Sequence, residues 1–214
     1  MTGHHRLTTE RRVKRIIDVT VALLVLVLTA PVLAVAVLLV LAQFGSPVFF
    51  RQERTGRHER RIRVLKLRTM SDERDAQGQL LPDGVRCRGI GRTLRRLSID
   101  ELPQLVNVLR GDLSLVGPRP LLLRYDPWYT ERERLRFAVQ PGITGLAQVN
   151  GRNGLGWSDR LELDVRYVLG WSLWLDLRII AQTVGKVLRA SGVAVDPSSQ
   201  MLDLDEERRL TYVR

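Results

Sequence analysis

Residues 19–50 read VTVALLVLVLTAPVLAVAVLLVLAQFGSPVFF, and no ionisable side chain occurs among them. Arginine and lysine crowd both ends of the run. Arg6, Arg11, Arg12, Lys14 and Arg15 precede it, and Arg51, Arg54, Arg57, Arg60, Arg61, Arg63, Lys66 and Arg68 follow it. A simple spanning helix carries its basic excess on the cytoplasmic side alone, so both flanks read as cytoplasmic. Val19 to Ala42 covers 24 residues. At ~1.5 Å per residue that is about 36 Å, enough to cross a hydrocarbon core about 30 Å thick. Length alone leaves spanning and re-entrant forms open. Pro31, preceded by Thr29 and Ala30, tips the reading, because a proline inside a helix removes a backbone hydrogen bond and bends the axis. The expectation is a helix that enters the bilayer, turns at Pro31 and returns to the same face. Carbonyls freed at the bend need a donor that lipid cannot supply; the Thr29 and Thr20 hydroxyls are near enough to donate back along the helix. A cleaved signal peptide does not fit, since the apolar run is too long for one.

Outside this segment roughly 160 residues remain, room for one globular domain with its own core. Lysine and arginine outnumber aspartate and glutamate by 34 to 23, a net charge of +11. That balance favours nucleic acid, anionic lipid or phosphorylated ligands. The single cysteine, Cys87, excludes an internal disulfide and is compatible with a reducing compartment. His4, His5 and His58 are not spaced as metal ligands. The organisation read from this is a basic tail over 1–13, a membrane segment over 14–45, a catalytic domain over 46–190 and a peripheral tail over 191–214. Alternation predicts two short strands within Val48–Met70, joined near Gly56. Ser71–Gly89 reads as a mobile loop, Gly91–Leu109 as helical and Gly111–Pro120 as a turn-rich loop. Leu121–Val139 again reads as helical, Gln140–Gly156 as a glycine-rich loop, and Arg160–Tyr167 and Leu173–Arg189 as two further helices. The fold class is α+β: a re-entrant helix-break-helix, then a mostly helical domain with a short β-hairpin and interfacial amphipathic helices.

The chemistry concentrates between Arg95 and Pro120. In Ser98-Ile99-Asp100-Glu101-Leu102-Pro103-Gln104 the proline suits a first helical turn, where its missing N–H is no loss. Ser98 or Asp100 would then cap the helix. Asp100 and Glu101 would lie at its positive end beside Arg95 and Arg96, an environment that favours ionised carboxylates. Such carboxylates can attack phosphorus or hold Mg²⁺. The same residues also spell a capping box, Ser98-x-x-Glu101, a purely structural reading. Gln104 and Asn107 are uninformative by themselves. In Gly117-Pro118-Arg119-Pro120 two prolines fix the backbone around one arginine, which suits bidentate phosphate binding or simply makes a rigid turn. The glycines of Pro141–Asn153 permit anion nests, but the run matches neither a nucleotide-hydrolase phosphate loop nor a dinucleotide fingerprint.

Taken in order, several blocks resemble a bacterial sugar transferase of the small, membrane-embedded polyprenyl-phosphate phosphoglycosyl transferase family. They are Lys14–Asp18, Phe50–Gly56, Leu65–Met70, Ser98–Asn107, Gly111–Pro120, Pro141–Asn153 and Leu163–Val168, and they run over nearly the whole chain. One departure is at the membrane bend, where the family often carries Ser-Pro and this chain has Ala30-Pro31. The resemblance implies that Asp100 is the nucleophile. It would attack the sugar-bearing phosphate of a UDP-sugar, release UMP and hold a covalent phosphosugar, which a polyprenyl phosphate then takes. It implies Mg²⁺ or Mn²⁺ held by Glu101 with Asp100, and phosphate or substrate contacts from Arg95 or Arg96, Arg119, Gln104 and Asp164. It implies residence in the inner membrane, with the catalytic domain facing the cytoplasm. Downstream glycosyltransferases are conceivable partners. The chain also resembles a minimal catalytic unit, without the N-terminal membrane bundle of larger relatives. Trp171 and Trp174, followed by Arg178, Lys186 and Arg189, fit an interfacial helix or an ordinary amphipathic one. A membrane-tethered nucleic-acid-binding protein would explain the charge but not the Asp-Glu and Gly-Pro-Arg-Pro blocks, and no stacking module is visible. A non-catalytic scaffold would be expected to lose Asp100 or Glu101, and a diphosphate hydrolase would need no lipid acceptor. The identity of the sugar is not legible.

Overall fold

The computed structural model describes residues 2–151, 155–188 and 202–212. Helix α1, Thr2–Phe44, is one helical run that continues through Pro31. The expected turn is therefore not a break in the helix. Pro31 has no N–H for the Val27 carbonyl, and the Thr29 hydroxyl does not replace it: it donates to Val25 O at 2.7 Å. The inner face of α1 is lined with small residues. Ala22 packs against Leu105, Val108 and Leu113, and Ala36 and Val40 pack against Leu67 and Leu94.

Polar ties fasten α1 to the domain on both sides of Pro31. On the N-terminal side Lys14 Nζ donates to Asp176 Oδ2 (2.5 Å) and Val116 O (3.2 Å). Arg15 donates to Val108 O and Leu109 O, and Asp18 accepts from Ser114 Oγ at 2.7 Å. On the C-terminal side Gln43 donates to Arg88 O and accepts from Ile90 N, and Arg68 donates to Phe44 O. The outer face carries exposed Leu23, Leu24, Val27, Leu28, Val32 and Leu38.

The expected hairpin is present. Strands β1 (Phe49–Thr55) and β2 (Arg61–Leu67) pair antiparallel, from Phe49 opposite Leu67 to Thr55 opposite Arg61. Short helices α2 (Asp83–Arg86) and α3 (Ile90–Arg96) follow, then a 3₁₀ turn over Ile99–Glu101 and α4 (Gln104–Arg110). Fully buried Asn107 on α4 acts as a surrogate strand edge for β2. Its Oδ1 accepts from Leu65 N at 3.0 Å and its Nδ2 donates to Arg63 O at 2.7 Å. Strand β3 (Ser114–Val116) runs parallel to β4 (Gly142–Thr144). Their close approach requires glycine: a Cβ on Gly142 would lie 2.1 Å from Gly117 N, and one on Gly117 2.4 Å from Gln140 O.

Helices α5 (Glu131–Arg134), α6 (Leu146–Val149), α7 (Trp157–Leu169), α8 (Leu173–Leu188) and α9 (Leu204–Tyr212) are the remaining described α-helices. The region expected to be one helix over Leu121–Val139 is two 3₁₀ turns around α5, because Pro127 interrupts it and the Thr130–Glu133 capping box restarts it. The region expected to be a helix over Gly91–Leu109 breaks at Ser98, which takes a left-handed φ of 57°. The segment 71–89 contains α2. Part of the tail expected at the periphery is core: Leu204 on α9 is fully buried with Tyr125, Trp157 and Leu161, and Arg208 pairs with Glu133 at 2.6 Å.

Candidate active site

The left-handed Ser98 turns the chain so that Asp100 and Glu101 enter a 3₁₀ turn rather than the first turn of α4. Ser98 makes no side-chain capping bond, and Pro103 is the residue that precedes α4. The capping-box reading is thus not realised, and the two carboxylates face elsewhere. Both line a cleft of ≈ 990 Å³ that runs from Phe49 and Phe50, near the end of α1, to Trp157 and Asp164 on α7.

Glu101 is the electrostatic hub. Its Oε1 accepts from Lys66 Nζ at 2.7 Å and from Arg119 at 2.8 Å. Burial alone would raise its pKa; Arg119 and Lys66 outweigh burial and hold it below the usual carboxylate range. Asp100 is its opposite. It is 6 % exposed, and its carboxylate accepts no hydrogen bond among the described residues. Burial first, and the adjacent Glu101 charge second, push its pKa up to about 6, while Lys66, Arg95 and Arg119 pull it down. Neighbouring carboxylates whose environments drive their pKa values apart suit different tasks: one stays charged as an anchor, the other holds a lone pair free of competing donors.

Arg119 is set by its backbone. Gly117 N donates to Thr144 O at 2.9 Å and Gly142 N to Pro118 O at 2.9 Å. The Arg119 carbonyl accepts from Arg136 at 2.6 Å. Its side chain is 40 % exposed into the cleft. Arg95 also lines the cleft and donates to Thr69 Oγ1 at 2.8 Å, whereas Arg96 is exposed and outside the lining. Gln104 is buried behind the cleft wall, with its Nε2 unpartnered among the described residues. Asp164 lines the cleft but is bound to buried Arg136 at 2.8 Å; its Oδ1 has no partner among the described residues.

Among the described residues no three His, Cys, Asp or Glu side chains converge as a metal set. A divalent ion would rest on Asp100 and Glu101 alone, which suits magnesium only if substrate phosphates complete the shell. Lys66 was not assigned a role from sequence, and neither were Arg54, Thr69, Arg136 and Arg160 of the same wall. Lys66 meets Glu101 across 35 residues, a pairing for which local pattern carries no signal. On α8, Trp174 is 75 % exposed with Leu177 and Val184 beside it. Trp171 instead turns inward and donates to Asp176 at 3.2 Å. Arg189 lies outside the described residues.

Residues 9–190 match the model of the bacterial sugar transferase family. An uncharacterized sugar transferase of Bacillus subtilis, EpsL, is 54 % identical over 84 % of this chain and 89 % of its own length. A UDP-glucose:undecaprenyl-phosphate glucose-1-phosphate transferase of Caulobacter vibrioides is 44 % identical over 82 % of this chain and 69 % of its own. A protein of the same name from Klebsiella pneumoniae is 42 % identical over 81 % of this chain but only 39 % of its own length.

Proposed function

This chain belongs to the bacterial sugar transferase family, and from that premise we propose that it moves a sugar phosphate from a UDP-sugar to a membrane polyprenyl phosphate, undecaprenyl phosphate in bacteria. UMP is the second product. The observation that carries the reading is the cleft itself: a buried Asp100 with no hydrogen bond among the described residues, beside a Glu101 that gathers Lys66 and Arg119. A carboxylate free of hydrogen bonds is a better nucleophile, and cations aimed at the same point stabilise phosphoryl oxygens.

In the first step an Asp100 oxygen bonds to the sugar-bearing phosphorus. The bond from that phosphorus to the bridging oxygen breaks, and its electron pair leaves on UMP. In the second step an oxygen of the lipid phosphate attacks the same phosphorus and the Asp100 carboxylate is regenerated. Arg119, and Lys66 through its place beside Glu101, bind the transferred phosphate; Arg95 supports the site from Thr69. Magnesium or manganese, held by Glu101 and Asp100, would neutralise diphosphate charge. Asp164 orders the far wall through Arg136. The product would begin the membrane stage of exopolysaccharide or glycoconjugate assembly.

The acceptor lies in lipid, so the cleft must open at the bilayer surface. Two observations support a segment that enters and leaves on one face. The same domain holds α1 on both sides of Pro31, and the exposed apolar residues lie on the outer face between those ties. The exposed Trp174, Leu177 and Val184 stripe of α8 suits the same interface. Cytoplasmic placement of the domain follows from the basic flanks.

The test is UMP release across a panel of UDP-sugars, with and without polyprenyl phosphate, joined to intact-mass detection of a sugar-phosphate adduct. Adduct formation without lipid, discharged by added lipid, is the expected result. UMP release with no adduct, unaffected by lipid, would make the chain a hydrolase instead.

A further inference from the structure

Arg54 differs from the arginines of the cleft wall that hold a carboxylate. Arg119 has Glu101, Arg136 has Asp164, and Arg124 has Asp203 as carboxylate partner. Arg54 has none within ion-pair distance among the described residues, and its side chain donates only to the neutral Gln52 Oε1. It is half-buried. Strand alternation puts Phe50, Gln52 and Arg54 on one face of β1, and all three line the cleft. Lys66 lies opposite Phe50 across the hairpin. Burial first, and the Arg119 charge next, hold the Arg54 pKa down to about 10. A half-buried cation beside like charges and without a counter-ion is costly to the fold. The cost is offset when a ligand brings the anion.

Position along the hairpin says which anion. Arg119 and Lys66 both reach Glu101, the neighbour of Asp100. Lys66 lies opposite Phe50, whereas Arg54 lies farther along β1, opposite Ile62, and its backbone bridges Leu122 in the segment that follows Arg119. Arg54 is thus set apart from the carboxylate pair that Arg119 and Lys66 hold. In-line displacement at phosphorus puts the departing oxygen opposite the attacking one.

Building on the two-step transfer above, we infer that Arg54 binds the phosphate that departs with the nucleotide, while Arg119 binds the phosphate that is transferred. As the bridging P–O bond breaks, its electron pair stays on the UMP oxygen, and the guanidinium donates hydrogen bonds to that developing charge. No proton changes hands. Arg54 then serves the first half-reaction and is idle in the second.

The experiment uses the full chain in detergent or lipid discs, as wild type, Arg54→Gln and Arg54→Lys. Three quantities are read: melting temperature with and without UMP, rate of adduct formation from a UDP-sugar, and rate of adduct discharge onto polyprenyl phosphate. Arg54→Gln is expected to melt no lower than wild type without ligand and to lose the UMP-induced rise. It should slow adduct formation by about 100-fold, the size of one lost transition-state donor. Discharge should stay within a few-fold. Arg54→Lys keeps the charge, folds even if the glutamine variant does not, and should fall between. Normal adduct formation with slow discharge would place Arg54 at the lipid phosphate and overturn the inference, as would an unchanged UMP shift. If wild type forms no adduct, the transfer mechanism fails, and the UMP shift still decides whether Arg54 holds a nucleotide phosphate.

Discussion

As the proposed nucleophile, Asp100 must be ionised to attack, yet burial and Glu101 make ionisation costly. With a pKa raised to about 6, adduct formation should fall as pH drops through about 6 and level off above it. Replacing Glu101 by glutamine removes the like charge and frees Lys66 and Arg119 toward Asp100, so the residual activity should show that acid limb displaced to lower pH. A limb unmoved by that change would assign the titration to another group. The stability consequence has a definite sign. A carboxyl whose folded pKa is raised favours the folded state when protonated, and that contribution is lost as pH rises through about 6. Asp100→Asn should therefore abolish the adduct while raising stability at pH 7, by roughly 1–3 kcal/mol if the shift is fully expressed. Denaturant titration of the two proteins side by side measures it, and a destabilised Asp100→Asn would contradict the burial argument. Arg119→Lys tests geometry at constant charge. Lysine can still reach Glu101, but it lacks the planar fork for a phosphate, so kcat/KM should fall by on the order of 100-fold. Wild-type kinetics would reduce Arg119 to a turn residue.

What places these side chains is a set of short elements, and their legibility in sequence follows their physics. The hairpin alternates and α7 and α8 are amphipathic, so periodicity exposes all three. The break at Ser98 has no such signal, because a non-glycine residue with positive φ looks locally like the middle of a helix. That break is what frees Asp100 and Glu101 from capping duty, so the proposed catalytic pair is legible by residue type but its geometry is not. Arg119 stands out in sequence by its two prolines; the placement of Lys66 and Arg54 in the cleft does not, since it comes from strands folded back on a distant turn. The position of Arg119 also depends on β3 and β4 approaching at Gly117 and Gly142. A methyl group at Gly117 would meet Gln140 O at 2.4 Å, a backbone atom with no freedom to retreat. Gly117→Ala should cost about 1–3 kcal/mol or more and lower activity further than stability alone explains, because the Pro118–Pro120 turn shifts with the strand. Thermal unfolding and adduct formation measured at a temperature where the variant is fully folded separate the two effects.

At the scale of the molecule, the question is how one body reaches both water and lipid. A helix that crossed the bilayer would carry its two ends to opposite faces. Here Lys14, Arg15 and Asp18 before Pro31 and Gln43 and Phe44 after it are tied to the same domain. The proposed re-entrant form reconciles this with the membrane, because a domain carrying charges as dense as those from Arg51 to Arg68 resists burial in lipid. In that proposal the apolar outer face of α1, with Phe49 and Phe50 of the cleft lining, faces lipid. Single cysteines at Thr8 and at Arg57, in a Cys87→Ser background, should both resist a membrane-impermeant thiol reagent in intact cells and both react after permeabilisation. Pro31→Leu restores the hydrogen bond to Val27 and removes the hinge on which the proposed re-entrant form depends. A fraction of that variant should expose position 8 on the outside and lose transferase activity in proportion, because the N-terminal ties to Val108, Ser114 and Asp176 cannot form across a bilayer. External labelling of position 8 with Pro31 intact would establish a crossing helix and leave the chemistry of Asp100 untouched.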